Sequence, residues 1–396
     1  MSLTEEQKQI VKSTAPVLRE NGKEITSIFY KTLFENHPEL LNLFNQTNQK
    51  IGTQPLALAN TVYFAAENID NLAVLMPQVR HISHKHRALT VQPEHYPIVG
   101  KYLLLAVAQF LGDKATDEIL DAWSAAYNII SSIFINVEKE LYAKFNQDPR
   151  DQGFIPLTIV KKERIANGPI VALAFQRVDG GKMYKHHPGQ YLTIRIKKGN
   201  YYHNRHYSLT QPFNGKSYHI AIKQANDHEL KGLVSNEVLN HYRKGDKILA
   251  TFPAGTFHLV ENAKYHLFIA GGIGITVFSS LIQELYKNGK ANTTTLIHCV
   301  PTEGHAAFAQ QMRSILPRNQ YHLLVQGKHL LQDLIRNSIK PNTHVYLCGS
   351  IPLINKVEDY LAEYELPPSQ IHTEAFRPIL GSIKNAVKNQ SNTKSL

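Results

Sequence analysis

The stretch HISHKHRALTVQPEHYPIVG, residues 81–100, holds four histidines, a lysine and a tyrosine. Imidazoles at that density raise the question of metal ligation, and the helical period sorts them. Over LAVLMPQVRHISHKHRAL, with Pro77 as a candidate break, 100° per residue gathers Leu72, Leu75, Met76, Val79 and Ile82 on one face. His86 falls in the same arc. His81 and His84 project to the other side, and His95 follows Pro93 in polar company, so these three are expected to be solvated. An inward histidine by itself is more simply a hydrogen-bonded core residue than a ligand.

Other residues change that balance. In YNIISSIFINVEKELY, Tyr127, Ile130, Phe134 and Glu138 share one helical face, and a carboxylate on an apolar stripe is costly unless paired. Tyr96 follows a proline that would open a fresh helix about ten residues beyond His86. A metal-bound imidazole usually donates its second N–H to a carbonyl or carboxylate, which orients the ring and raises its basicity. His86, Glu138 and Tyr96 have the chemistry for such an assembly. Tyr30 in SIFYKTLF and Gln54 in GTQPLAL are hydrogen-bonding residues on otherwise apolar helices, with Phe44 and Leu58 close in sequence; each alone reads as structural.

The elements that must position these groups fall into three zones of a 396-residue chain, a length that favours more than one domain. Residues 1–148 read as helical throughout, with Pro38, Pro55, Pro77 and Pro93 at helix boundaries, which fits globin-type packing better than a long bundle. NQDPRDQG is a linker. From 149 to 261 short alternating runs (FIPLTIVKKER, IVALAFQRV, QYLTIRIK, SYHIAIKQ) read as a small antiparallel barrel. From 262 to 380 the apolar runs YHLFIAGG, TTTLIHCV, YHLLVQG and THVYLCGS alternate with helical stretches, the pattern of a parallel sheet covered by helices on both faces. Residues 381–396 are a basic tail expected to be disordered.

Composition narrows the function classes. Lys and Arg outnumber Asp and Glu by 43 to 32, but the cations are scattered, so anionic small cofactors account for the balance and no nucleic acid is expected. The polar start MSLTEEQKQI is no signal peptide, no apolar run is long enough to cross a bilayer, and two cysteines make no disulfide framework. A cytoplasmic protein is expected.

The second and third zones carry cofactor chemistry of their own. In RHYSLT an arginine can neutralise a pyrophosphate, a tyrosine can lie against a flavin ring and a serine can bond its edge, and PGQYLTI precedes it by a short loop. In KGLVSNEVL, Gly232 and Ser235 would open a helix whose N–H groups face phosphates. FIAGGIGITVFSSL sets a glycine turn between strand and helix, where backbone N–H groups can approach a pyrophosphate.

Over residues 1 to about 380 the chain resembles the flavohemoglobins, and its reductase half resembles the ferredoxin-reductase family. The resemblance makes His86 the proximal ligand of haem b, paired with Tyr96 and Glu138. It puts Tyr30, Gln54 and Leu58 on the side facing oxygen, Phe44 against the haem, and Lys85 between haem and flavin. FAD would be held by Tyr191, Arg205, His206, Tyr207, Ser208, Gly232 and Ser235, and by Glu374, Ala375, Phe376, Arg377 and Pro378, with Phe376 over the ring and Glu374 tuning it. NAD(P)H would meet Gly272, Ile273, Gly274, Ile275, Thr276, Val277, Cys348 and Gly349. Val277, Ser350 and Arg377 depart from the family's usual Pro, Pro and Gly. No cluster of Arg and Ser after LIHCVPTEGH marks a 2′-phosphate site, which leans towards NADH. The implied activity is nitric oxide dioxygenation: NAD(P)H reduces FAD, FAD reduces the haem iron, and iron-bound O2 converts NO to nitrate, in a monomer. The alternative is an oxygen or NO carrier or sensor whose reductase only keeps the iron ferrous.

Overall fold

The computed structural model describes residues 2–44, 53–145, 149–165, 169–225, 232–326 and 330–376, without the side chains of 53–57 and 149. The chain divides into two compact units, residues 1–154 with 195–205, and 155–194 with 206–396.

The first unit is helical. Helix α1 (Glu5–Asn36) starts with a capping box: Gln7 N–H donates to the Thr4 hydroxyl, and Thr4 N–H donates back to the Gln7 side chain. Pro16 lies inside α1, a position that the boundary-marking prolines of the sequence do not announce. A 3-10 turn (Pro38–Asn42) leads towards α2 (Thr53–Glu67). Asn42 accepts from Tyr202 N–H and from the Asn204 amide, both over 2.7 Å, and so ties the chain just before Phe44 to the hairpin of the same unit.

Helix α3 (Met76–Ala88) follows a 3-10 turn over Leu72–Leu75, with Pro77 in its first turn, where the missing N–H costs nothing. Helix α4 (His95–Leu111) is capped by Gly112 at φ +56, and α5 (Asp117–Ala143) is capped by Thr116. One core joins α1, α2, α4 and α5 through Ile25, Phe29, Leu33, Tyr63, Ala106, Ala122 and Ala126. A second joins Ala65, Leu75, Val79, Tyr96 and Phe134, with Leu72 and Ile82 packed on it. The apolar face read from the sequence of α3 is thus the face that packs.

Residues 155–250 supply antiparallel strands, of which the hairpin portion 195–205 is counted with the first unit. β1 (Ile155–Arg164), β2 (Ile170–Arg177), β3 (Tyr191–Lys198), β4 (Tyr201–Ser208), β5 (Tyr218–Lys223) and, after helix α6 (Leu233–His241), β6 (Lys247–Ala250) form one sheet in the order β4-β3-β6-β1-β2-β5. A bridge between Leu209, just past β4, and Ile220 of β5 joins the two edges of the sheet, which closes it into the expected barrel.

The chain then alternates β7 (Tyr265–Gly271), α7 (Ile275–Lys287), β8 (Thr294–Val300), α8 (Ala309–Ile315), β9 (Tyr321–Val325), α9 (Leu331–Ser338), β10 (Thr343–Cys348), α10 (Ile351–Glu363) and β11 (Ile371–Glu374). The five strands are parallel in the order β11-β10-β7-β8-β9, and apolar cores lie against the sheet on separate clusters built around Phe268 and around Leu267. Alternation along β7 sends Phe268 and Leu267 to opposite faces, so both faces are covered. No helix among the described residues is long and apolar enough to cross a membrane.

Gly22 is where α1 and α2 touch: a Cβ there would lie 2.6 Å from that of Ala59. Gly22→Val is expected to force the helices apart and cost about 1–3 kcal/mol, read as a lower midpoint in urea unfolding followed by circular dichroism. An unchanged midpoint would mean that the crossing has room to spread.

Candidate functional site

Helices α3, α4 and α5 bring together three residues that are far apart in sequence. His86 Nδ1 stands 2.8 Å from Glu138 Oε1 and 3.0 Å from the Tyr96 hydroxyl, and that hydroxyl donates to the same carboxylate oxygen over 2.6 Å. Glu138 is 3% exposed, so its charge is stabilised by these donors rather than by water. A carboxylate only accepts; the proton on the imidazole therefore sits on Nδ1, and Nε2 carries the lone pair. Among the described residues Nε2 makes no hydrogen bond. Burial, with the Glu138 charge beside it, holds the Tyr96 phenol well above its ordinary pKa, so it stays a donor. Tyr127 donates to the Tyr96 carbonyl over 2.7 Å, and Gly100 leaves room for it, since a Cβ there would lie 2.4 Å from the Tyr127 ring.

The other three histidines are not solvated as the sequence suggested. His81 and His84 are half-buried, and burial pushes each imidazole down to about 4. The reason is that α3 packs on more than its apolar face: Ser83 and Arg87 are buried as well. His95 is also half-buried; its Nδ1 accepts from Gln92 N–H over 3.0 Å at the start of α4. None of the three shares the His86–Glu138 cluster.

On α1, Tyr30 is buried in an aromatic wall, its ring 4.7 Å from Phe29, 5.7 Å from Phe34 and 5.6 Å from Phe44. Leu58 packs against the same core. Gln54 lies in the first turn of α2, and its side chain falls outside the described residues. Lys85 is half-buried beside His86.

In the barrel, Tyr191 and His206 come together with ring centroids 4.7 Å apart, and the His206 Nδ1 lies 2.8 Å from the Thr193 hydroxyl. Arg205 donates to the Asn204 carbonyl, Tyr207 is half-buried and Ser208 is buried. Gly232 is the N-cap of α6, where a Cβ would meet both Ala225 and Ser235 at 2.6 Å. At the other end of that helix Lys162 donates to the carbonyls of Val238, Leu239 and Tyr242 at 3.2, 2.8 and 2.5 Å, a cation on the negative pole that the sequence gave no sign of.

The glycine turn behaves as its sequence suggests. Gly272 adopts φ +52, and Gly272–Gly274 forms a 3-10 turn into α7, which carries Ile275, Thr276 and Val277 in its first turn. A Cβ on Gly274 would lie 2.4 Å from the Cys348 carbonyl, and one on Gly271 would lie 3.0 Å from Gly349 Cα. The β7–α7 and β10–α10 connections therefore approach backbone to backbone, a cradle that side chains would fill. Cys348 pairs in register with Glu374; Ala375 is half-buried and Phe376 is 50% exposed, while Arg377 and Pro378 lie outside the described residues.

Two departures from the family pattern are now explicable. Ser350 is the N-cap of α10 at φ −71, the angle a proline would fix, with Pro352 in the helix's first turn. Val277 is fully buried in α7, so there it serves packing.

A helical unit with a carboxylate-supported histidine, followed in the same chain by a barrel and a dinucleotide-type α/β sheet, defines a globin joined to a nicotinamide-dependent reductase. Residues 27–134 match the globin family, and residues 268–359 match the oxidoreductase NAD-binding domain family. A flavohemoprotein of Halalkalibacterium halodurans is 36% identical over 400 residues, covering 95% of this chain and 97% of that protein. The chain belongs to the flavohemoprotein family and is an oxidoreductase. Among solved structures, the flavohemoglobin of Malassezia yamatoensis with bound FAD and heme shares the fold, with TM-score 0.83, 23% identity and coverage of 95% of this chain and 100% of that one. The flavohem-like FAD/NAD-binding domain of the nitric oxide dioxygenase of Vibrio cholerae O1 biovar El Tor is 25% identical, with TM-score 0.51, over 56% of this chain and 98% of that one.

Cys348 is buried and Cys299 half-buried. Burial pushes Cys299 up to about 11 and raises Cys348 well above its ordinary value, with the charge of Glu374 adding to the latter. At pH 8 about a thousandth of Cys299 would be thiolate, the reactive form. A disulfide reagent at pH 8 is expected to label neither residue within minutes in the folded protein and both in denaturant; rapid labelling of either in the folded state would contradict this burial.

Proposed function

We propose that the chain is an NAD(P)H-dependent nitric oxide dioxygenase that carries haem b and FAD and turns NO and O2 into nitrate. The observation that carries this reading is the His86–Glu138–Tyr96 assembly. Among the described residues no group of three or more His, Cys, Asp or Glu side chains could hold a metal. His86 thus offers a single protein ligand, which suits an iron already held by a porphyrin's four nitrogens rather than a bare ion. When bound, FAD parts the electron pair of NAD(P)H into single electrons, and haem supplies the iron at which O2 and NO are combined.

The chain's own residues have the following parts. His86 would ligate the iron through Nε2, while Glu138 and Tyr96 hold its Nδ1 proton and would make it a more basic ligand, one that favours oxygen activation over storage. Tyr30, together with Gln54 as the resemblance implies, would donate to negative charge on oxygen. The rings of Phe29, Phe34 and Phe44 exclude water that would compete for that donor. Tyr191, Arg205, His206, Tyr207 and Ser208 take the flavin and its pyrophosphate, with Gly232 and Ser235 at the start of α6. Phe376, between Glu374, Ala375 and the segment Arg377–Pro378, supplies a ring to cover it. Gly272–Val277 with Cys348 and Gly349 take the dinucleotide. Lys85, half-buried next to His86, would set a positive charge beside the ligand, and the activity is that named for the Vibrio cholerae neighbour.

The test is NO consumption under air with NADH, followed by an NO electrode, with nitrate as product. His86→Ala is expected to lose the haem Soret band and all NO turnover while keeping NADH–ferricyanide reductase activity. Tyr30→Phe is expected to keep the Soret band and slow NO turnover about ten- to hundredfold. Unchanged NO turnover in Tyr30→Phe, with weaker oxygen binding, would take the dioxygenase role from Tyr30, and a parent protein that forms no nitrate from NO and O2 would make this chain a carrier or sensor.

A further inference from the structure

His298 is fully buried in β8, paired in register with Ala270 of β7 inside the sheet. Its Nε2 stands 3.0 Å from the carbonyl oxygen of Gly272, and its Nδ1 is buried without a hydrogen-bond partner. A carbonyl only accepts, so Nε2 carries the proton, and the ring gives up the other nitrogen's bond to keep this one. An imidazole buried at that cost, within a strand that otherwise reads TTLI-CV, calls for a reason that packing does not give: leucine would fill the position.

Gly272 supplies the reason. It sits at φ +52, and a Cβ there would meet nothing within 4 Å, so glycine is required for its backbone freedom and not for space. That freedom leaves the peptide between Gly272 and Ile273 able to turn over. In a trans peptide the C=O and N–H point in opposite directions. With the carbonyl facing the anion, the turn would repel a pyrophosphate; with the carbonyl held into the protein, the N–H faces outward.

We propose that His298 is a positioning residue that pins the Gly272 carbonyl inward, so that the turn meets the dinucleotide pyrophosphate with N–H donors. This rests on the reading of Gly272–Val277 as the dinucleotide site. The Ile275 N–H also reaches the Gly272 carbonyl, so the turn is held from two sides, one of them by a side chain from a neighbouring strand. Burial pushes the His298 pKa down to about 4; the ring stays neutral at working pH and adds no charge of its own to the site.

The experiment titrates the full-length, FAD-loaded protein with ADP-ribose, which carries the pyrophosphate and lacks nicotinamide, and compares His298→Leu, His298→Gln and His298→Asn. Gln can bring an amide donor to the Gly272 carbonyl; the shorter Asn cannot. His298→Leu and His298→Asn are expected to weaken ADP-ribose about tenfold, with FAD content and circular dichroism unchanged. His298→Gln is expected to recover most of the affinity. In NADH–ferricyanide assays the Leu and Asn variants would raise KM for NADH and leave kcat in place. Should the Leu variant fail to fold, the Gln and Asn pair carries the comparison. Equal affinity of Asn and Gln variants with the parent overturns the proposal while leaving the site assignment standing. A parent protein that binds no ADP-ribose overturns the site assignment and the proposal with it.

Discussion

A carboxylate with 3% of its surface exposed is the constraint around which the helical unit is arranged. Removing an ionised Glu138 from water is tolerable only if donors replace the lost hydration. Two are supplied, and they come from two other helices: the His86 ring of α3 and the Tyr96 hydroxyl of α4. Each donor then needs its own backbone placed to within a fraction of an ångström. Tyr127 holds Tyr96 from behind, and Gly100 is small so that it can. Phe134 closes the apolar side at 5.8 Å from the imidazole. The tautomer of His86 is a consequence of this chain of requirements, since an acceptor at Nδ1 leaves Nε2 basic.

The reductase half solves a different problem with different means. Backbone N–H groups can meet an anion closely only where side chains are missing. Gly271, Gly274 and Gly349 are such places: a Cβ on any of them would run into the opposite connection. The closeness is bought with backbone freedom at the very residues that must be fixed, so rigidity has to be imported from elsewhere. Lys162 holds the far end of α6 by three carbonyls, and His298 holds the turn before α7 by one.

How much of this was legible in the sequence depends on which physical signal carried it. The inward position of His86 and the cost of Glu138 follow from helical periodicity, and the structure joins them with Tyr96. The closed barrel and the parallel sheet follow from alternating and continuous apolar runs, and both form. Periodicity, however, sees one helix at a time. It assigned His81 and His84 to water because they leave the apolar face of α3, whereas a short helix inside a globular unit is packed on several sides, and Ser83 and Arg87 on it are buried. Pro16 escaped for a related reason: a proline marks a boundary by local rules, and tertiary contacts along a helix of 32 residues outweigh the one lost hydrogen bond.

Supporting residues are harder to see than cofactor-facing ones, because their partners are backbone atoms, and a carbonyl has no letter in the sequence. Lys162 reads as one more surface cation on a strand, yet it caps a helix more than seventy residues ahead. His298 did leave a trace, since a lone imidazole between Ile297 and Cys299 in an apolar strand has to spend a hydrogen bond somewhere. The same logic explains why Ser350 can stand where the family usually has proline. What the site needs there is a backbone angle, and the chain reaches φ −71 without the ring because Pro352 and the first turn of α10 fix the segment from the other side. A position can therefore lose its signature residue and keep its function, provided that a neighbour supplies the geometry.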